Sequence, residues 1–165
     1  MDRFGTFKVD HTNMEPGIYN ARDMLLGHTN VVTLDIRTCI PYEDNVIDNV
    51  TIHSVEHILA TTLEEETRLR KVYFGPMGCQ TGYYLLVANT ENEITPELVG
   101  IVLVEAIEKW DRATVPYDTQ YECGNNRTLA RGTAQIGAVR EQMNKIHSLA
   151  TKLIENKEYS KYNYL

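Results

Sequence analysis

The feature that most constrains the fold is a change of hydrophobic period along the chain. Over residues 31–39, Val32, Leu34 and Ile36 alternate with Thr33, Asp35 and Arg37, the two-residue period of a strand with one face toward a core. That alternation puts Asp35 and Arg37 together on the face away from the core. Residues 4–10 and 18–22 read as short extended segments, and the turn chemistry of Gly27-His28-Thr29-Asn30 predicts antiparallel pairing into the 31–39 strand, which Pro41 ends. From about residue 49 to 71 the period lengthens to three and four, with Ile52, Val55, Ile58, Leu59 and Leu63 on one stripe and Asp48 or Asn49 available as an N-cap. Residues 72–74 and 83–88 look like strands on either side of the glycine-rich stretch 75–82. Thr95-Pro96 opens a further helix, and Ile136, Val139, Met143, Ile146, Ala150 and Leu153 carry the last one from about residue 133 to 157. The pattern predicts an α+β fold, an antiparallel sheet packed against helices, in a single domain over residues 1–165.

Charge removes some classes of function. Sixteen Lys and Arg against 23 Asp and Glu leave a formal net charge of −7 with no dense basic cluster, which argues against nucleic acid as a partner. No apolar run approaches the roughly 20 residues needed to span a bilayer, and the first five residues lack a basic region leading into an apolar stretch. The expectation is a soluble, unexported, cytoplasmic protein without membrane association. Three widely spaced cysteines, Cys39, Cys79 and Cys123, fit a reducing compartment better than a disulfide scaffold. Glu64, Glu65 and Glu66 followed by Arg68, Arg70 and Lys71 read as the solvated polar end of the first helix. The tyrosine-rich residues 158–165 read as a tail packed at an edge or contact surface.

The chemistry centres on His53-Ser54-Val55-Glu56-His57. At about 100° per residue the two histidines and the glutamate fall within an arc of roughly 100° on a helix, so two imidazoles one turn apart can share a metal with a carboxylate beside it. A helix also holds such a trio without a metal. The apolar stripe on the far side of this helix and Cys123, followed by Gly124 in the long connection 113–131, add weight to the metal reading. A His, His, Cys set leaves a fourth position open, as catalytic sites do and closed structural zinc sites do not. Cys79, in the tight Gly78-Cys79-Gln80 context, reads either as a buried small hydrophobe or as a thiolate acid/base group near a metal. Cys39 reads as packing. His11 and Arg37 are each either surface residues or polar contacts to a substrate, and His28 and His147 read as surface histidines.

Phe7-Lys8-Val9-Asp10-His11, Leu34-Asp35-Ile36-Arg37, the His53–His57 pentapeptide with Leu59-Ala60, residues 75–85 and Cys123-Gly124 together resemble the S-ribosylhomocysteine lyase (LuxS) family in order and spacing. The stretch 76–84 is the most specific part of the match. The resemblance implies metal ligands at His53, His57 and Cys123, paired acid/base residues at Glu56 and Cys79, and polar substrate contacts at His11 and Arg37. It implies ferrous iron as the metal, with zinc replacing it in isolated protein, and a homodimer whose sites lie where subunits meet. The implied reaction converts S-ribosylhomocysteine to homocysteine and 4,5-dihydroxypentane-2,3-dione, the autoinducer-2 precursor. The sequence departs from the commoner family pattern at Thr6, Tyr73 and Gly75. The rival reading is a small inverted-zincin metallopeptidase, which would use Glu56 to activate water and would have no use for Cys79; a third is a metal-binding or regulatory module without turnover.

Overall fold

The computed structural model describes residues 5–91 and 93–165. Met1 to Phe4, and with them the opening residues read above, lie outside it, as does the side chain of Thr6. Among the described residues, strands β1 (Gly17–Leu26), β2 (Thr29–Arg37), β3 (Arg70–Pro76) and β4 (Gly82–Asn89) pair antiparallel in the order β1-β2-β4-β3. Helices α1 (Asn49–Thr62), α2 (Pro96–Glu108) and α3 (Gly132–Asn156) cover one face.

The β1–β2 reversal needs only Gly27 and His28, and Gly27 takes a positive φ of 63°, a conformation that residues with a Cβ avoid. Val32, Leu34 and Ile36 point from β2 into the core beside Leu85, Tyr83 and Ile18, and they meet Val55, Ile58 and Leu59 of α1 and the stripes of α2 and α3. Asp48 caps α1 through the Thr51 amide at 2.9 Å, worth about 1 kcal/mol. Thr95 does the same for α2 at 3.2 Å.

Three expectations change. The first helix stops at Thr62 rather than near residue 71. Residues 70–76 are captured by pairing with β4, and the β-branched Thr61-Thr62 end favours the break. Lys71, expected on the helix, reaches back from β3 to the Ala60 carbonyl at 2.6 Å and satisfies one of the helix's terminal acceptors. Of residues 4–10, only Val9 and Asp10 are extended among those described, because Gly5–Lys8 and His11–Asn13 are short 3-10 turns on either side of a bridge from Val9 to Tyr164.

The third change matters most for function. Asp35 and Arg37 do share the sheet face opposite the helices, but that face is buried: their relative exposures are 0% and 2%. The C-terminal tail closes it. Ser160 donates to the Ile18 carbonyl, Asp10 donates to that of Asn163, and Leu165 donates to that of Lys8. Tyr162 stacks on Tyr19 with ring centroids 4.6 Å apart, and Val9, Met14 and Tyr19 form a second small apolar cluster there.

Candidate functional site

Helical spacing sets the first two groups of the site. His53 and His57 lie one turn apart on α1 with ring centroids 4.8 Å apart at 85°. Cys123 arrives from the long connection between α2 and α3, and its Sγ lies 3.5 Å from His53 Nε2. The nitrogen and sulfur atoms of His53, His57 and Cys123 all lie within 4.8 Å of one another, a separation that one ion can bridge.

That connection is fastened to α1 by Ser54, a fully buried residue. Its hydroxyl donates to the Val50 carbonyl at 2.6 Å and accepts from the Ala130 amide at 2.8 Å. His53 Nδ1 lies 2.8 Å from Thr128 Oγ1, whose own proton is directed at the Asn125 carbonyl at 3.0 Å. The imidazole is therefore the donor. His57 Nδ1 donates to the Pro116 carbonyl at 2.9 Å. Both rings are thus held in the tautomer that leaves Nε2 as an open lone pair, the outer-shell support that metal-binding histidines commonly have. Burial, and after it the neighbouring His57, holds His53 below its ordinary range against an opposing effect of Thr128. The two-nitrogen, one-sulfur donor set with both outer nitrogens tied down fits a divalent transition ion.

Glu56 lies beside His57 on the same helix and is half-buried. Burial pushes its carboxyl up, and the pull of His57 only partly offsets this.

Cys79 sits at the tip of the β3–β4 connection, exposed, with Gln80 at a positive φ of 59°. The connection is clamped to the end of β2, where Thr38 and Cys39 both donate to the Thr81 carbonyl. Gly82 must be glycine here, since a Cβ would come within 2.1 Å of the Ile36 carbonyl oxygen. Arg37 Nη1 donates to Thr81 Oγ1 at 2.7 Å and approaches Cys79 Sγ at 3.6 Å. Thr81, having accepted that bond, has its own proton free for Sγ at 3.1 Å. Partial burial pushes the Cys79 thiol up, but the Thr81 bonds and the Arg37 charge outweigh it, and the net position is below the ordinary thiol range.

The structure thus brings the sequence-selected residues into two groups, His53–His57–Cys123 with Glu56 adjoining, and Arg37–Cys79. No hydrogen bond among the described residues joins the two. His11 belongs to neither: its Nδ1 pairs with the Val9 carbonyl at 3.0 Å in the turn after residue 10. Cys39 is buried and its thiol raised chiefly by that burial, as a packing residue should be. His28 is exposed in the hairpin turn, and His147 lies 3.7 Å from Glu108 on the surface of α3. Thr81, Ser54 and Thr128 were not singled out from sequence, and the only available signal was their position inside the segments that carry Cys79, His53 and Cys123.

An α+β chain with two imidazoles and a thiol gathered together, and a second thiol held by a guanidinium, has the makings of a metal-dependent acid/base catalyst. The family model described as S-ribosylhomocysteinase (LuxS) matches residues 4–153. S-ribosylhomocysteine lyases of Finegoldia magna and Borreliella afzelii are 35% identical over 126 residues and 37% identical over 128, each alignment covering 76% of this chain and 80% of the relative. That of Clostridium acetobutylicum is 36% identical over 129 residues, with the same coverage. The chain belongs to the S-ribosylhomocysteinase (LuxS) family.

Proposed function

We propose that this chain cleaves S-ribosylhomocysteine to homocysteine and 4,5-dihydroxypentane-2,3-dione, the autoinducer-2 precursor, as a carbon–sulfur lyase. The observation that carries the reading is the pairing, in a member of this family, of a His53–His57–Cys123 cluster with a Cys79 thiol pulled down by Arg37 and Thr81.

His53, His57 and Cys123 would hold the ion, ferrous iron with zinc as its substitute in isolated protein. When bound, such an ion supplies Lewis acidity to a sugar carbonyl. Cys79, whose thiol lies below its ordinary range, takes as thiolate the proton on the carbon next to the carbonyl of the open-chain ribose and returns it to the former carbonyl carbon, while the adjoining hydroxyl proton passes to the former carbonyl oxygen, so that the carbonyl moves along the chain. Repetition brings the ketone to the third carbon. Glu56, whose burial makes it a stronger base than an exposed carboxylate, then removes the proton at the fourth carbon as the sulfur leaves the fifth. Arg37 and His11 hold the polar groups of the substrate. A peptidase has no comparable use for the Cys79–Thr81–Arg37 arrangement. Incubation of the iron-loaded protein with S-ribosylhomocysteine should release one thiol per substrate consumed, and a peptide substrate should be left intact; the reverse outcome would overturn the reading.

The working form is a homodimer with each site shared between subunits, and residues 1–165 act as one lyase domain. An exposed Cys79 whose side-chain partners among the described residues are Arg37 and Thr81, with no hydrogen bond among those residues to the metal-ligand cluster, supports a site completed by a second copy. Light scattering should give twice 18.9 kDa, and an active monomer would contradict it. No helix among the described residues is long and apolar enough to cross a membrane, and three free cysteines suit a cytoplasmic setting.

A further inference from the structure

We propose that Tyr162, on the C-terminal tail, is a positioning residue for the Cys79 thiolate and acts through Asp35 and Arg37. The proposal rests on the reading of Cys79 as the acid/base thiol, and it adds a residue beyond position 153, where the family match ends.

The ion pair between Asp35 and Arg37 is longer than a buried pair ordinarily is. Asp35 and Arg37 are both buried and lie two residues apart on the same face of β2. A buried guanidinium beside a carboxylate ordinarily closes to a short, often bidentate pair of about 2.7–2.9 Å, because neither charge has water to fall back on. Here Arg37 Nη2 stands 3.5 Å from Asp35 Oδ2. The short bond to that oxygen is made instead by the Tyr162 hydroxyl, at 2.6 Å. Asp35 Oδ1 and Arg37 Nε have no hydrogen-bond partner among the described residues, so the two groups do not meet by any other edge.

With the carboxylate engaged by the phenol, the guanidinium turns its other nitrogen, Nη1, toward Thr81 Oγ1 and Cys79 Sγ. Tyr162 is fixed for this task. Its ring stacks on Tyr19, Tyr164 meets it edge-on at 6.0 Å, and backbone bonds at Ser160, Asn163 and Leu165 bind the tail on both sides of it. Burial and the bond to Asp35 keep the phenol protonated and hence a donor. Among the described residues, the titratable groups facing this cluster are Asp35 and Arg37 on β2, Tyr19 on β1 with Glu15 behind it, Tyr84 opposite Asp35 on β4, and Tyr162 and Tyr164 on the tail. Of these, Arg37 alone is a cation, so its placement decides how well the sulfur carries its charge.

Tyr162→Phe keeps the ring and its stack while removing the hydroxyl. Asp35 then draws Arg37 into a close pair, and Cys79 keeps the Thr81 hydroxyl but loses the guanidinium. The test is site-resolved alkylation of Cys79 in the full-length protein with iodoacetamide, read by mass spectrometry across a pH series. The Y162F midpoint should rise by about one pH unit, which means about tenfold less thiolate below both midpoints. In an Asp35→Asn background, where no carboxylate competes for Arg37, adding Y162F should change nothing. An unchanged or lowered midpoint for Y162F, or an equal rise on the Asn background, would overturn the proposal; a tail that merely stiffened the fold would shift both backgrounds alike. Should Asp35→Asn fail to fold, the Y162F midpoint decides alone. Alkylation reads the thiol and not turnover, so the assignment of Cys79 as acid/base can fail separately, through undiminished lyase activity of Cys79→Ala.

Discussion

Replacing Cys79 by alanine should lower turnover of S-ribosylhomocysteine at least ~10²-fold, the scale for deleting a positioned acid or base, while leaving the metal content unchanged. Cys79 lies outside the cluster of candidate ligand atoms, so its loss should remove proton transfer and not the ion. Glu56→Gln should lose a comparable factor and also keep its metal. The two variants should stop at different places. Without Cys79 the first carbonyl shift fails, and exchange of solvent deuterium into the second sugar carbon should disappear. With Glu56→Gln the shifts proceed, a ketone accumulates and thiol release is delayed. Wild-type exchange in Cys79→Ala would transfer the first proton abstraction to another group. Because the Cys79 thiol sits below its ordinary range, the acid limb of kcat/KM in the parent protein should lie below the pH at which a free cysteine ionises, with activity falling as pH drops through that limb.

The second large effect is expected at Cys123. Purified protein should carry about one equivalent of divalent ion per chain, and Cys123→Ala should lose most of it together with activity, because two imidazoles alone make a weak site for a divalent ion. Elemental analysis of the variant decides the matter. Full retention would mean that the third ligand comes from elsewhere.

How much of this was legible beforehand depended on how local the cause was. The His53–Glu56–His57 face could be read because helical geometry acts over a single turn, and the caps at Asp48 and Thr95 could be read because side chain and amide are three residues apart. The alternation of β2 is equally plain, yet it does not show that the outer face is covered: nothing within residues 29–37 records that the C-terminal tail returns over Asp35 and Arg37. The overrun of α1 has the same origin. Its apolar stripe continues to Leu63, whereas the pairing that stops it lies across the sheet on β4. The approach of Cys123 to His53 spans 70 residues of sequence. It depends on Ser54 and Thr128, hydroxyl residues whose composition and spacing are indistinguishable from those of any surface turn.

The anchoring of both imidazoles by their Nδ1 atoms has a consequence for how the site fills. In its neutral form each ring presents an unprotonated Nε2, since its single proton is then committed to Thr128 or to the Pro116 carbonyl. A ring in that neutral form sheds no proton to become a ligand, whereas a thiol must. Loading the centre from those forms would exchange one dication for one hydrogen ion, and the chain would gain a single positive charge. In a chain of net charge −7, that gain offsets part of an existing excess of negative charge, so long-range electrostatics favour ion uptake.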